Sequence, residues 1–286
     1  MEILENKNEK TKLIDIEKVI SDKNPKLYRS IPKFVIRYIK KTIHQKDLNK
    51  FIQANNDKFG FDFLKETFIA FDVSAEIVNK EKLPENGKYI FVANHPIGSF
   101  DGLHLIGMLY EKYGKVKAVV NDVLLNLKNL NDFFVGVNLH GSTPREQVEN
   151  LSKIFEMGVP VLFFPSGKVS RKENGIITDK EWKKTFISRA IKHKLDIVPI
   201  HVEGRLSNKF YRIANLRKKI GIKSNIEMFF LVDEVFKIRG SKLKITIGEA
   251  ISYKTFDNSK NHYNWAQEVK EHVYKIAKNP NIKFTT

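Results

Sequence analysis

One segment of the chain runs from the end of a buried strand into a helix, and it reads Phe91-Val92-Ala93-Asn94-His95-Pro96-Ile97-Gly98-Ser99-Phe100-Asp101-Gly102. His95 therefore stands at the carboxyl edge of a predicted strand, where open α/β sheets bind their ligands. Asp101 follows six positions later, at the predicted start of the helix. A carboxylate in that place can fix the tautomer of an imidazole and stabilise its protonated form. The segment predicts a general-base pair; the alternative is a loop that hydrogen-bonds its own backbone.

The chain on either side of this segment alternates between strand and helix patterns. We predict strands over residues 73–78, 89–93, 117–120, 134–139, 159–164, 197–202, 227–232 and 244–247. Helical patterns cover residues 103–113, 123–127, 144–157, 179–194 and 261–277, and further helices over 12–20, 33–51 and 61–71 precede the first strand. Such alternation is typical of an α/β fold in which helices cover a mostly parallel sheet.

The composition indicates one structural unit. The chain has 286 residues, of which 42% are hydrophobic, and it contains no Pro/Gly/Ser-rich linker or internal repeat. We expect residues 1–60 to form an N-terminal helical segment and residues 61–286 to form the α/β domain. No apolar run approaches the roughly 20 residues that a membrane-spanning helix needs. The chain has no cysteine, which excludes disulfides, thiolate metal sites and a cysteine nucleophile and fits a reducing cytosol.

The charge of the chain favours an anionic partner. The net charge is +17 and the pI is near 9.7. Basic residues follow one side of the amphipathic pattern over 33–51, and seven lie between Arg205 and Lys223 without an acidic residue. We expect these segments to contact anionic lipid or an acidic protein, and solvated helix faces are the alternative. Nucleic acid would also explain the charge, but the sequence lacks an RRM signature, a zinc finger or a Gly-x-x-Gly clamp.

A second predicted strand also ends in residues suited to bind a ligand, where the chain reads Phe164-Pro165-Ser166-Gly167-Lys168-Val169-Ser170-Arg171. Gly167 allows a sharp turn, and turn amides with flanking cations form a natural anion site. Parallel strands end at the same edge of a sheet, so we expect Lys168 and Arg171 on the edge that carries His95. An ordinary basic turn is the alternative.

Four segments, in this order, resemble the four signature blocks of the glycerolipid (lysophospholipid) acyltransferase family. Residues 94–101 are similar to the first block, an Asn-His followed by an Asp. Residues 137–145 stand where the second block places an arginine that contacts the acceptor, and Arg145 is the candidate. Residues 161–171 are similar to the third block, usually Phe-Pro-Glu-Gly-Thr-Arg, and residues 197–204 to the fourth, Val-Pro followed by apolar residues.

Two of these blocks depart from the family pattern. Ser166 replaces the usual glutamate, Lys168 stands where threonine is usual, and the arginine comes two positions later, at Arg171. Five residues, instead of the usual four, separate His95 from Asp101. The longer loop is similar to that of a hemolysin-like branch of the superfamily, which includes O-acyltransferases acting on lyso-aminolipids as well as on lysophosphatidic acid.

The resemblance implies an α/β enzyme similar to 1-acylglycerol-3-phosphate O-acyltransferases, which moves a fatty acyl group from a thioester to the hydroxyl of a lysolipid. His95 would be the general base and Asp101 would orient it. The candidate substrate-binding residues are Asn94, Arg145, Ser166, Gly167, Lys168 and Arg171. Among these, the cations would hold the anionic headgroup of the acceptor, and backbone amides around residues 165–168 would stabilise the oxyanion.

The resemblance also implies the partners of the reaction. The acyl donor would be acyl-CoA or acyl carrier protein, with no cofactor and no metal. The setting would be membrane lipid biosynthesis, by a cytoplasmic protein held peripherally on the inner face of the cell membrane. We expect no nucleic acid as partner. The alternative that the sequence leaves open is a non-catalytic basic protein that binds a lipid surface or nucleic acid.

Overall fold

The computed structural model describes residues 14–23, 25–137, 151–221 and 226–285. Five helices precede the sheet: α1 (Ile16–Lys23), α2 (Pro25–Ser30), α3 (Lys33–Thr42), α4 (Gln45–Ala54) and α5 (Gly60–Phe71). The strands are β1 (Ser74–Val78), β2 (Ile90–Ala93), β3 (Lys117–Asn121), β4 (Phe134–Val137), β5 (Val161–Phe163), β6 (Arg171–Glu173), β7 (Ile176–Thr178), β8 (Ile197–Glu203) and β9 (Lys242–Ile247). The later helices are α6 (Phe100–Tyr113), α7 (Thr185–His193), α8 (Asn208–Lys219), α9 (Leu231–Lys237) and α10 (His262–Ile276).

Seven of these strands form one sheet, in the order β1-β9-β8-β2-β5-β3-β4. The five from β8 to β4 run parallel to one another, whereas β1 and β9 pair in parallel with each other and run in the opposite direction. β6 and β7 form a separate antiparallel hairpin. The predicted α/β fold with a mostly parallel sheet is confirmed.

The centre of the sheet is apolar because helices cover both of its faces. All four residues of β2 are buried, as are those of its neighbour β5. Phe91 packs on one face with Leu105 of α6, and Val92 packs on the other with Phe186 of α7. A strand buried on both faces reads as a continuous apolar run, which is why the sequence pattern located β2 correctly. Within the described ranges we find no helix with the length and hydrophobicity to cross a bilayer.

The predicted helix over 33–51 is two helices, α3 and α4, with a break between them. His44 lies at the break with a φ of 48°. Its ring stacks on Phe236 at a centroid distance of 4.0 Å, and its Nε2 lies 3.1 Å from Oδ1 of Asp233. The break between α3 and α4 is therefore in contact with α9, which lies far along the chain. The local helical pattern does not indicate such contacts.

The predicted strand over 227–232 is wrong. These residues form a 3-10 turn, Ile226–Phe230, which leads into α9. Phe229 and Val232, three positions apart, pack with helices α1 and α3. Phe230 and Leu231 pack on the other side, with the cluster that contains Phe210 of α8. A segment buried on two sides is a run of apolar residues in either backbone conformation. The run alone therefore cannot distinguish a strand from a helical turn.

The predicted helix over 179–194 begins only at Thr185. Residues 179–183 have no regular secondary structure, and the Nε1 of Trp182 donates to Oδ2 of Asp179 at 2.9 Å. The predicted helix over 12–20 begins at Ile16 and extends to Lys23. The end of the strand over 134–139 and the first half of the helix over 144–157 lie outside the described residues, and 151–154 are helical.

Candidate active site

Two neighbouring strands end side by side at one edge of the sheet. β2 pairs in parallel with β5, and His95 follows the first strand while the turn at 164–168 follows the second. The rings of His95 and Phe164 lie 4.1 Å apart at their centroids. The structure therefore brings together the two motifs that the sequence pattern predicts to share this edge.

His95 and Asp101 are in hydrogen-bonding contact. Nδ1 of His95 lies 3.0 Å from Oδ2 of Asp101, which is fully buried in the first turn of α6. The imidazole keeps 20% of its surface exposed. When Nδ1–H donates to the carboxylate, Nε2 is left without a proton and can accept one. The arrangement is that of a general base open to an external proton donor.

The carboxylate of Asp101 is held by the loop that separates it from His95. Its Oδ2 accepts from the backbone N–H groups of Ile97 at 3.0 Å and Gly98 at 3.1 Å. Its Oδ1 accepts from those of Ser99 and Gly102, each at 2.9 Å. The five-residue loop thus folds around the carboxylate, and the positive end of the α6 dipole stabilises its charge further.

One glycine lets the loop take this path. Gly98 has a φ of 80°, a conformation that side chains rarely adopt. A Cβ atom at this position would also lie 2.2 Å from Cγ1 of Val169, in the segment that follows β5. The extra residue between His95 and Asp101 is therefore accommodated by a close approach of two loops at which only glycine fits.

The two members of the pair stabilise each other's charged forms. Burial acts to lower the pKa of His95, but the charge and hydrogen bond of Asp101 outweigh it and raise the pKa above its ordinary 6.5. Burial likewise acts to raise the pKa of Asp101, but His95 and the backbone amides outweigh it, so this pKa is lowered. Asp101 consequently stays ionised while His95 takes up a proton.

The turn after β5 is closed by its own hydrogen bonds. Gly167, with a φ of 62°, donates its N–H to the carbonyl of Phe164 at 2.9 Å. The hydroxyl of Ser166 donates to the carbonyl of Lys168 at 2.6 Å and lies 3.4 Å from its N–H. Two of the amides predicted to bind an oxyanion are therefore already engaged inside the turn. The half-buried ammonium of Lys168 has a lowered pKa, first because of burial and then because of neighbouring cations such as Lys180.

Arg171 lies in the interior, whereas the sequence pattern predicts it at the substrate. Its Nη2 lies 2.9 Å from Oε1 of the fully buried Glu227, and its Nη1 donates to the carbonyl of Val169 at 2.9 Å. Nε of Arg217 lies 2.7 Å from Oε2 of the same glutamate. The guanidinium also lies over the ring of Phe210. The side chain turns beneath α8, where Glu227 neutralises it, so this guanidinium is committed to the fold.

Two further candidates have different outcomes. The carboxamide of Asn94 bonds the backbone of Val202 in β8, with Oδ1 accepting at 2.7 Å and Nδ2 donating at 2.8 Å. Its polar atoms thus join two strands of the sheet. Arg145 lies outside the described residues, and its predicted contact with the acceptor stays a prediction.

The sequence pattern missed two buried carboxylates beside the site. Oδ1 of Asp179 accepts the backbone N–H of His95 at 3.3 Å and the hydroxyl of Ser170 at 2.6 Å. Glu227 joins the two arginines described above. Both residues fall in segments predicted as the wrong element, and both contacts join residues far apart in sequence, so no local spacing could have indicated them.

A His–Asp pair at the carboxyl edge of a parallel sheet is a site for proton transfer, and the comparisons with known proteins give its context. A family model described as acyltransferase matches residues 18–280. The chain belongs to this acyltransferase family. The predicted family is confirmed, and the chain is an acyltransferase.

Relatives within the family are similar over almost the whole chain. A lyso-glycine lipid O-acyltransferase of Bacteroides thetaiotaomicron is 44% identical over 265 residues, which are 92% of this chain and 97% of that protein. A lyso-glycine lipid O-acyltransferase of Phocaeicola vulgatus is 43% identical over 265 residues, 92% of this chain and 95% of that protein. The crystal structure of the 1-acyl-sn-glycerophosphate acyltransferase PlsC from Thermotoga maritima covers 78% of this chain and 82% of its own, with a TM-score of 0.46 and 18% identity.

Proposed function

We propose that this acyltransferase moves a fatty acyl group from a thioester to the hydroxyl of a lysolipid, with a lyso-glycine lipid as the acceptor. The observation that carries the reaction is the contact of 3.0 Å between Nδ1 of His95 and the buried carboxylate of Asp101. The acceptor is suggested by two relatives at 44% and 43% identity that are lyso-glycine lipid O-acyltransferases. Lysophosphatidic acid is the acceptor against which it must be compared.

The reaction needs a base but no covalent enzyme intermediate. Nε2 of His95 takes the proton of the acceptor hydroxyl while the hydroxyl oxygen attacks the thioester carbonyl. The C–S bond of the resulting tetrahedral intermediate then breaks, and the leaving thiolate receives that proton from His95. Asp101 holds the reactive tautomer and stabilises the imidazolium between the two steps.

The headgroup of the acceptor would lie over the turn after β5. Lys168 supplies a positive charge there, and a lyso-glycine lipid or lysophosphatidic acid carries a negative one. Ser166 and Gly167 would shape the surface that the acceptor contacts, and Arg145 would add a second cation. The carboxamide of Asn94 and the guanidinium of Arg171 are bound to other protein groups, so we propose that these two residues stabilise the structure around the site and do not bind the substrate.

Docking on an anionic membrane would bring the enzyme to its acceptor. Exposed basic and apolar side chains alternate on one side of α3, and a similar set lies on α8. We name these the docking face: Lys33, Phe34, Arg37, Tyr38 and Lys41 of α3 with Arg212, Leu216 and Lys219 of α8 and Ile220, which directly follows α8. Both helices contact the turn Ile226–Phe230, which supports the proposal that the two sets act as one surface. Cations attract anionic lipid and apolar side chains enter the interface.

Not every basic residue predicted to face the membrane is available for it. Lys40 pairs with Glu17, Arg217 pairs with Glu227, and Lys223 lies outside the described residues. We propose the inner face of the cell membrane as the site of docking, because acyl-CoA and acyl carrier protein, the proposed donors, are cytoplasmic.

A substrate panel tests the proposal. Purified protein is incubated with an acyl-CoA or an acyl carrier protein thioester, each with lyso-glycine lipid or lysophosphatidic acid, and the diacylated product is measured by mass spectrometry. We expect acyl transfer to lyso-glycine lipid to exceed transfer to lysophosphatidic acid, and the two donor arms identify the carrier. Transfer to neither acceptor from either donor would overturn the proposed function.

A further inference from the structure

A second buried carboxylate, Asp179, contacts the backbone of His95. It lies between β7 and α7, 84 residues from His95 in sequence, with 1% of its surface exposed. Oδ1 accepts the N–H of His95 at 3.3 Å and the hydroxyl of Ser170 at 2.6 Å, and Oδ2 accepts Nε1–H of Trp182 at 2.9 Å. Its own N–H donates to the hydroxyl of Tyr274 in α10 at 2.7 Å.

This network holds both backbone groups of His95. Ser170, whose hydroxyl bonds Asp179, donates its N–H to the carbonyl of His95 at 2.8 Å. The residue that carries the base is thus fixed to the segment after β5 and, through Tyr274, to α10. Such fixing matters for catalysis, because a displacement of about 1 Å can reduce a rate about 100-fold.

The charge of Asp179 also bears on the imidazole. Burial acts to lower the pKa of His95, and Asp101 and Asp179 both act to raise it. Burial raises the pKa of the Asp179 carboxyl, and the hydrogen bonds from Ser170, Trp182 and the backbone of His95 act against that rise. The next residue, Lys180, is exposed. Burial raises the pKa of the Tyr274 phenol to about 12, and burial lowers that of His201, whose ring packs on Tyr274, to about 4.

We propose that Asp179 is a positioning residue for acyl transfer, which fixes the backbone of His95 and adds a second negative charge that stabilises the imidazolium. The inference rests on the proposed function, because the imidazolium forms only when His95 takes the proton of the acceptor. Asp101 acts on the ring of His95 directly, whereas Asp179 acts through the backbone and through its field.

The test must separate the charge of Asp179 from its hydrogen bonds. Asp179→Asn keeps the shape and removes the charge, but if its oxygen stays on His95 and Ser170, its amide faces the Nε1–H of Trp182. We therefore place Asp179→Asn in a Trp182→Phe background, which lacks that donor, and use Trp182→Phe alone as the reference. Should Trp182→Phe fail to fold, Asp179→Asn is compared with the wild type directly, and the shift of the His95 titration, which reports the lost charge, then carries the comparison.

Glu234 provides a matched control. It is also a buried carboxylate that accepts a backbone N–H and a serine hydroxyl, both from Ser207, at 2.5 and 2.6 Å. It contacts neither His95 nor the turn after β5 in the described part of the chain. Glu234 also pairs with Lys237 at 2.6 Å. Glu234→Gln therefore removes the charge of a buried carboxylate that makes similar hydrogen bonds but has no contact with the base.

Two readouts are expected to change together. In the Asp179→Asn variant the kcat falls about 10- to 100-fold below its reference, while the KM for each substrate stays within about twofold, because Asp179 contacts no substrate. The NMR titration of the His95 imidazole in the substrate-free protein moves to lower pH, with His95→Ala identifying the resonance. Glu234→Gln changes neither readout.

Any other pattern overturns the inference. An unchanged kcat, a lower kcat without a shift of the His95 titration, or an equal loss in Glu234→Gln would each show that Asp179 is only structural. The titration needs no acyl transfer, so the two proposals fail in different ways. A wild type without transferase activity overturns the proposed function, whereas an active wild type with an unshifted variant overturns the role of Asp179 alone.

Discussion

At His95 the chemistry depends on which ring nitrogen carries the proton. Oδ2 of Asp101 lies at Nδ1, and backbone N–H groups fill the remaining positions around the carboxylate, so it cannot turn away. The buried acceptor selects the Nδ1–H tautomer and leaves Nε2 to the acceptor hydroxyl. Because Nε2 is the nitrogen that must be free of a proton, the rate should depend on pH through the protonation of His95.

We expect kcat/KM for the acceptor to rise with pH through a pKa above 6.5, because the base must be neutral and the folded protein raises the pKa of His95. Asp101→Asn removes the charge that raises this pKa, so the acidic limb should move to lower pH. The same variant should lower kcat by about 10²- to 10⁴-fold through loss of the tautomer and of charge stabilisation. Rate profiles from pH 5 to 9 measure both effects, and an unmoved limb with near-normal turnover would contradict the pair.

The role proposed for Lys168 concerns binding of the acceptor. A headgroup is held equally in the ground and transition states, so its loss should raise KM with little change in kcat. We expect Lys168→Ala to raise the KM for the acceptor about 10-fold, the equivalent of one charged hydrogen bond, and to leave the KM for the donor nearly unchanged. Kinetics with each substrate varied in turn give the answer.

Lys192, an exposed lysine in the last turn of α7, supplies the control for this charge. Lys192→Ala should leave both KM values unchanged. If Lys168→Ala raised only the KM for the donor, the turn would bind the phosphates of the thioester carrier, and the two substrate pockets would have to be exchanged.

The contact between His95 and Asp101 could be predicted from sequence because it is local. The two residues lie six positions apart across a strand end and a helix start, so one short loop can bring them together. Asp179 reaches His95 across 84 residues, and nothing near it in sequence indicates that contact. Arg171 looks exposed in sequence because it follows a basic turn, and the buried partner that draws it inward lies 56 residues away.

Among the elements, the hairpin β6–β7 and helix α8 are joined by a buried ion cluster. Glu227 lies between Arg171, at the start of β6, and Arg217 in α8. The three buried charged groups depend on one another, because the two guanidinium groups share one carboxylate as their counter-charge. The cluster therefore holds α8 against β6, the strand that follows the turn after β5.

We expect Glu227→Ala to lower the free energy of unfolding by about 3–5 kcal/mol, since it leaves two buried guanidinium groups without the carboxylate that they share. Urea denaturation of the variant and the wild type measures the difference. The exposed pair of Lys218 and Glu173 links the same two elements and serves as the control. Glu173→Ala should change the free energy by less than about 1 kcal/mol. Equal changes in the free energy of unfolding for the two substitutions would show that the buried cluster stabilises the fold no more than the exposed pair does.

The elements that the sequence pattern located well are those buried on two faces or amphipathic on one. β2 is a continuous apolar run of strand length, β8 is apolar except for His201 and Glu203, and α10 has a helical stripe that packs on β8. The segments that it placed wrongly owe their apolar residues to something else. Trp182 is buried in an apolar cluster from a segment without regular secondary structure, and Phe229 is half-buried in a 3-10 turn.

For the whole molecule, the structure shows where some of the basic residues behind the net charge of +17 lie. Part of the positive charge is used internally, in the buried cluster around Glu227. Another part lies on the docking face, beside side chains such as Phe34 and Ile220, which are 65% and 60% exposed. Large apolar side chains surrounded by cations are typical of a surface that meets anionic lipid.

We expect the protein to sediment with vesicles of phosphatidylglycerol and much less with vesicles of phosphatidylcholine. In 1 M salt the screening length falls to about 3 Å, so binding should weaken. The variant Phe34→Ser/Ile220→Ser should bind less well in low salt, because it loses apolar contacts with the interface. Ile69→Ser is the control, since Ile69 is 73% exposed but lies on α5, outside the docking face. Equal binding to both lipids, or an equal loss in the control, would contradict this mode of attachment.

The most direct test of the reaction is the rate of acyl transfer by His95→Ala compared with the wild type. The imidazole lies at the edge of the sheet and keeps 20% of its surface exposed, so its removal should leave the fold intact, as circular dichroism and thermal melting can verify. With acyl donor and lyso-glycine lipid at saturation, we predict that kcat falls by about 10²- to 10⁴-fold or more, because the proton of the acceptor then has no base. A folded His95→Ala protein that turns over at nearly the wild-type rate would contradict the assignment of His95 as the general base.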